Sequence, residues 1–91
     1  MYRIYIGSDN KTNTINSQME TQIINKFSSN FESFTYHRVT GVFRGIKEDT
    51  LVVYIGNIEL ETLKKVVSEL RKELGQEGIG IEADGEYLSI T

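Results

Sequence analysis

The sequence predicts an α+β fold: a ferredoxin-like β-α-β-β-α-β sheet with both helices on one face and an extra C-terminal hairpin strand. Three observations carry this. Apolar residues alternate with period two in Tyr2–Gly7 and run almost continuously in Leu51–Gly56, as strands require. Two apolar stripes at helical spacing follow those segments, Met19-Ile23-Ile24-Phe27-Phe31 and Leu60-Leu63-Val66-Val67-Leu70-Leu74. Residues 5–7 and 54–56 are both Tyr-Ile-Gly, each closing a strand ahead of a helix, which divides the chain into two strand-helix-strand halves. Right-handed crossovers then give strand order 4-1-3-2, with the first and third strands adjacent and, on this reading, parallel.

The elements follow in order. Tyr2, Ile4 and Ile6 point one way from the first strand, Arg3 and Tyr5 the other. Gly7 to Thr14 is wholly polar and reads as a loop. Ser17 and Glu20 have the spacing of a capping box, so the first helix runs from about residue 17 to about 29. Phe34 to Gly45 is rich in β-formers and reads as one long strand, with Gly41 marking a bulge. Ile46 to Thr50 is expected as a hairpin loop, and Leu51–Gly56 as a central strand. The second helix takes Asn57 as N-cap, Glu59 and Glu61 near its positive end, Arg71 and Lys72 in its last turn, and Gly75 just beyond it. Asp84-Gly85 is a favoured two-residue hairpin turn. Pairing Ala83 with Glu86 sets Ile81 against Leu88 and Ile79 against Ile90, all on one face.

At 91 residues the chain is expected to be a single α+β domain spanning 1–91, since so short a chain cannot divide its core. The apolar and charged fractions, 38% and 25%, are ordinary for a globular protein and exclude wholesale disorder. With no cysteine there is no disulfide, thiolate nucleophile or sulfur-based zinc site. A formal charge of −3 argues against a broad nucleic-acid footprint. No apolar run is long enough to span a bilayer and no leader pattern opens the chain, so the expected location is cytoplasmic, with no membrane partner.

Helices on one face leave the other bare. There the interface candidates are Tyr5, Val52 and Tyr54, since an open face with aromatic residues is commonly covered by a second copy or a ligand. The partner expected is a homodimer or higher homo-oligomer. At the strand ends, free amides and polar side chains can cradle an anion, so Arg3, Ser8, Asn10, Lys11, Thr12 and Asn57 are the ligand-binding candidates for an anionic, nucleotide-like molecule; a plain solvated loop is the bland alternative. Tyr36-His37-Arg38 holds the only histidine and supplies the catalytic candidates, a general base with an anion-holding arginine. Alternation puts His37 opposite the other two, and a packing histidine is the plainer reading. No metal site and no cofactor is implied.

Ile4-Tyr5-Ile6-Gly7 and Val53-Tyr54-Ile55-Gly56-Asn57-Ile58 resemble the first-strand motif of RNA-recognition domains, in which a strand aromatic stacks on a base. No basic-aromatic third-strand motif accompanies it. More of the chain, Tyr2 to Thr12, Phe34-Thr35, Gly41 to Gly45 and Glu48 to Val53, resembles short uncharacterised α+β proteins of phages and mobile elements of low-GC bacteria. That resemblance implies action by binding, through sequestering a nucleotide signal of host defence or blocking a host protein.

The function expected from the sequence is therefore a non-enzymatic binding or oligomerisation module, phage-encoded and acting on an anionic ligand or a host protein. The alternative is a small cofactor-independent enzyme using His37 or Tyr36 with an arginine. A third reading is RNA binding through Tyr5 and Tyr54.

Overall fold

Strand β1 (Tyr2–Gly7) occupies the middle of a five-stranded sheet in the computed structural model, which describes residues 1–9 and 11–91. Around it the chain runs α1 (Ser17–Asn30), β2 (Thr35–Phe43), β3 (Ile46–Ile55), α2 (Leu60–Leu74), β4 (Ile79–Ala83) and β5 (Glu86–Ile90). The sheet order is β2-β3-β1-β4-β5, the ferredoxin-like arrangement with one added edge strand.

Every neighbouring pair is antiparallel, including β1 with β3, where Tyr2 faces Ile55 and Gly7 faces Thr50. This corrects the expected parallel pairing. A helix crossover fixes the direction of the two strands that it joins, so β1 and β2 run the same way. They are not neighbours, because β3 lies between them, turned back by the β2–β3 hairpin.

That hairpin is tighter than the sequence implied. Its turn is Arg44-Gly45, with φ of 51° and 79°, and Ile46–Asp49 belong to β3 rather than to a loop. Gly41 marks no bulge, since the register is unbroken from Thr35↔Tyr54 to Phe43↔Ile46. Glycine is needed there for space: a Cβ at Gly41 would lie 2.8 Å from Thr50 Oγ1. The second hairpin turns at Asp84-Gly85, with Ala83↔Glu86, Ile81↔Leu88 and Ile79↔Ile90 in the expected register.

Helix α1 is capped by Asn16, one residue before the expected Ser17; its Oδ1 accepts from the Met19 amide at 2.8 Å. Helix α2 has Glu59 at its N-cap without a side-chain bond, while Asn57 sits at φ 58° in the preceding turn. Gly75 closes α2 in the left-handed conformation, its amide bonded to the Lys72 carbonyl. Both helices press their apolar stripes onto the sheet face carrying Ile4, Ile6, Leu51, Val53, Ile55, Ile79 and Ile81. Phe27 is fully buried at the centre, its ring 5.9 Å from Phe31 and 5.6 Å from Phe34. Truncating such a residue to alanine costs about 3–5 kcal/mol. No described helix is long and apolar enough to cross a membrane.

Candidate functional site

Since β-strand side chains alternate, the core set above leaves Arg3, Tyr5 and Gly7 of β1 on the opposite face. Beside them stand Glu48, Thr50, Val52 and Tyr54 of β3, His37, Val39 and Gly41 of β2, Gly80 and Glu82 of β4, and Tyr87 and Ser89 of β5. No helix covers them. A polar band crosses this face. Arg3 Nη1 lies 3.4 Å from Glu82 Oε1, and the Tyr5 hydroxyl donates to the same oxygen at 2.8 Å. On its other side the Arg3 guanidinium sits 5.8 Å from the Tyr54 ring centre, and the Tyr54 hydroxyl lies 3.4 Å from His37 Nε2. The hydrogen bond to Glu82 holds the Tyr5 phenol above its ordinary pKa, with burial adding to it. Tyr5 first, then the Glu82 carboxylate, raise Arg3 likewise.

Alongside the band the face sinks into a hollow of about 750 Å³. Three glycines, Gly7, Gly41 and Gly80, line it; Thr50 packs into the space at Gly41, and the space over Gly7 is bounded by Glu48. Tyr87 lies across Gly80, where any Cβ would collide with its ring, and its centroid is 6.3 Å from that of Tyr5. Phe43 and Val39 line the β2 side. From β3 the Glu48 carboxylate reaches over β1, with Oε1 3.5 Å from where a Gly7 Cβ would stand. Among the described residues Glu48 has no ion-pair partner, whereas Glu82 has Arg3 and Tyr5. Ser8, Gln76 and Glu77 close the end where β1 leaves the sheet. The described lining thus holds three carboxylates and no lysine, arginine or histidine.

An anionic ligand would thus meet no cationic side chain among the described lining residues. The ligand-binding candidates also do not converge. Gly7 and Gly56 end strands that run in opposite directions, so Asn57 lies at the far end of the sheet from Ser8, Lys11 and Thr12. Lys11 and Thr12 are exposed on the loop, Arg3 belongs to the polar band, and Asn10 lies outside the described residues. Among the described members of the set only Ser8 lines the hollow.

Of the interface candidates, Tyr5 and Tyr54 are half-buried on the open face and engaged with neighbours in the chain. Val52 is only 3% exposed, shut in between its register partners Tyr5 and His37, which removes it as an interface residue. Among the catalytic candidates, His37 stands on the open face and Tyr36 and Arg38 on the other, as alternation requires. Arg38 is a clamp for the loop ahead of α1: it donates to the Ile15 carbonyl and pairs with Glu20 at 3.0 Å and Asp49 at 3.6 Å. The three therefore form no common site. Among the described residues no group of three or more histidine, aspartate or glutamate side chains is placed to hold a metal ion.

The fold is shared with phage SAM lyases. A phage SAM (S-adenosylmethionine) lyase in complex with S-methyl-5′-thioadenosine superposes with a TM-score of 0.56 at 21% identity, covering 99% of this chain and 87% of that one. A phage SAM lyase in its apo state gives a TM-score of 0.59, also at 21% identity, covering 99% of this chain and 86% of that one. No family model matches this chain, and no curated protein matches it. At this identity the likeness establishes the fold. Both neighbours are lyases and one holds a small ligand, which speaks against the non-enzymatic reading and against ranking an enzyme second to it. The phage resemblance is met at the level of structure. The acidic hollow beside Tyr5 repels a phosphate backbone, which disfavours base stacking there.

The sequence did carry a signal for the hollow that its first reading missed. Gly7, Gly41 and Gly80 fall on one face as soon as the strand registers are drawn, and glycines in strands mark places where a neighbouring side chain or a ligand approaches the backbone closely, as Tyr87 does at Gly80 and Thr50 at Gly41.

Proposed function

We propose that this chain is a small enzyme that acts on SAM, cleaving it as a lyase, with the sulfonium centre held in the hollow on the open sheet face. The observation that carries the reading is the unpaired Glu48 carboxylate over Gly7, in a hollow walled by Tyr5, Phe43 and Tyr87 and lined by no described cationic side chain. A sulfonium is a permanent cation without an N–H. It is recognised by Coulomb attraction to a carboxylate and by the negative faces of aromatic rings, not by directed hydrogen bonds. The same rings offer flat apolar surface to an adenine.

Release of methylthioadenosine from SAM breaks the bond between sulfur and Cγ of the amino-acid arm. The bonding pair goes to sulfur, which becomes a neutral thioether. The remaining aminobutyrate fragment balances by closing on its own carboxylate, or by losing a Cβ proton to a base. Neither route consumes a cofactor. Positive charge vanishes from sulfur as the bond breaks, so Glu48 stabilises bound substrate more than the transition state and acts chiefly through KM. The hollow's contribution to rate is to hold the flexible arm folded against the breaking bond.

Incubating the chain with SAM and separating the products by liquid chromatography tests the reading. Methylthioadenosine should accumulate, and Glu48→Gln should raise KM without lowering kcat. Intact SAM after prolonged incubation counts against the proposal.

We further infer that the chain works as a homo-oligomer. Beyond Gly7 the β2–β3 hairpin has no β1 neighbour, and its tip exposes Val42, Phe43 and Ile46 by 67%, 61% and 57%. Phe43 also lines the hollow, so a second copy packed on this tip completes the wall. Light scattering that finds only monomer, unchanged by Phe43→Asp, overturns this inference. SAM as substrate and phage lyases as structural neighbours fit work in the cytoplasm of an infected cell.

A further inference from the structure

We propose that the end of the hollow built by Ser8 and Gln76 is a subsite for a primary ammonium group. On the SAM reading above, on which this rests, that group is the α-ammonium of the amino-acid arm. Among the described residues Ser8 is the one buried polar residue, 5% exposed, and its Oγ has no hydrogen-bond partner there. Gln76 presents a second buried atom without a partner, Oε1. Its orientation is set from several directions: Nε2 donates to the Gly7 carbonyl at 2.7 Å, its amide donates to the Arg71 carbonyl at 3.0 Å, and its own carbonyl accepts from Arg71 Nη1 at 2.9 Å. One Nε2 proton is used by Gly7, and the atom of Gln76 left without any partner is the acceptor Oε1.

The Ser8 hydroxyl, which can donate or accept, and the Gln76 acceptor are buried without partners at the hollow, while the third such atom, Arg71 Nε, belongs to a residue that does not line it. Groups of this kind destabilise the free chain, and native proteins keep them where a ligand satisfies them. Gln76 Oε1 calls for a donor and Ser8 Oγ can accept from one as well, and the Glu77 carboxylate beside Gln76 favours a positive donor. An ammonium supplies three N–H groups and a charge together. Glu48 lies over Gly7, the residue before Ser8, which sets the sulfonium site and the ammonium site next to one another. In SAM a short alkyl chain separates those two cations, so both can be held at once.

Calorimetry with two ligands that are not cleaved tests this. S-adenosylhomocysteine keeps the ammonium-bearing arm; methylthioadenosine lacks it. The variant is Ser8→Ala, which removes the hydroxyl without adding bulk. Binding of S-adenosylhomocysteine should weaken about tenfold or more, as for a lost hydrogen bond to a charged group. Binding of methylthioadenosine should stay within about twofold of wild type, and the Tm of free Ser8→Ala should not fall. Equal loss for both ligands, or no loss for either, overturns the subsite while leaving the SAM reading standing. Failure of the wild-type chain to bind either ligand removes the SAM reading and the subsite together.

Discussion

The Tyr5 hydroxyl on β1 donates to Glu82 Oε1 on the adjacent strand β4 at 2.8 Å, joining the two central strands across the open face of the sheet. The carboxylate accepts more favourably from a phenol than from water, and the phenol loses that interaction when it ionises.

A titration follows from that bond. Glu82 raises the Tyr5 pKa above its ordinary 10.0. A raised folded value means that the contact contributes stability throughout the range below pH 10.0 and loses it as pH rises through the folded pKa. Ultraviolet titration of the folded chain should show one of its five tyrosines ionising late. That phase should be absent in Tyr5→Phe and should move back down in Glu82→Gln.

Gly41 makes a packing prediction. Its Cβ would stand 2.8 Å from Thr50 Oγ1, so Gly41→Ala overpacks the β2–β3 pair and should cost about 1–3 kcal/mol. Thr50→Ala removes the obstructing atom. Chemical denaturation of the double variant should therefore recover most of that loss, a non-additivity that a purely entropic role for the glycine does not produce.

Arg38 makes a local prediction. Its guanidinium ties β2 to the Ile15 carbonyl, Glu20 and Asp49, and Asp49 Oδ2 accepts from the Ile15 amide at 3.1 Å. Arg38 is 41% exposed, so Arg38→Ala should change global stability by only about 1 kcal/mol or less. Hydrogen exchange should nevertheless quicken selectively at Ile15 and the first turn of α1.

How much was legible in the sequence follows from how local each determinant is. The β4–β5 register could be read in advance because a two-residue turn at Asp84-Gly85 leaves it no freedom. The stripe of α2 could be read because Leu63, Val66, Val67 and Leu70 repeat at the helix period, and all four are buried. Strand order followed from two crossovers, but direction was misassigned where adjacency was taken for shared direction: the crossover relates β1 to β2, not to β3. The Arg44-Gly45 turn was hidden because arginine is an unusual occupant of positive φ. The hollow draws one or two residues from each of several strands, so no local motif announces it. Ser8 was singled out, but for an anion. Its meaning changes once Glu48 is seen lying over Gly7 and Gln76 Oε1 is seen to lack a partner.

The central claim is that the hollow recognises positive charge at the sulfur position, and one comparison isolates that charge. Sinefungin carries an ammonium where SAM has its sulfonium and is not cleaved, while S-adenosylhomocysteine is neutral there. Calorimetry should find sinefungin bound at least about tenfold more tightly, with Glu48→Gln removing most of the difference. Equal affinity for the two ligands, or a preference untouched by Glu48→Gln, would contradict the account.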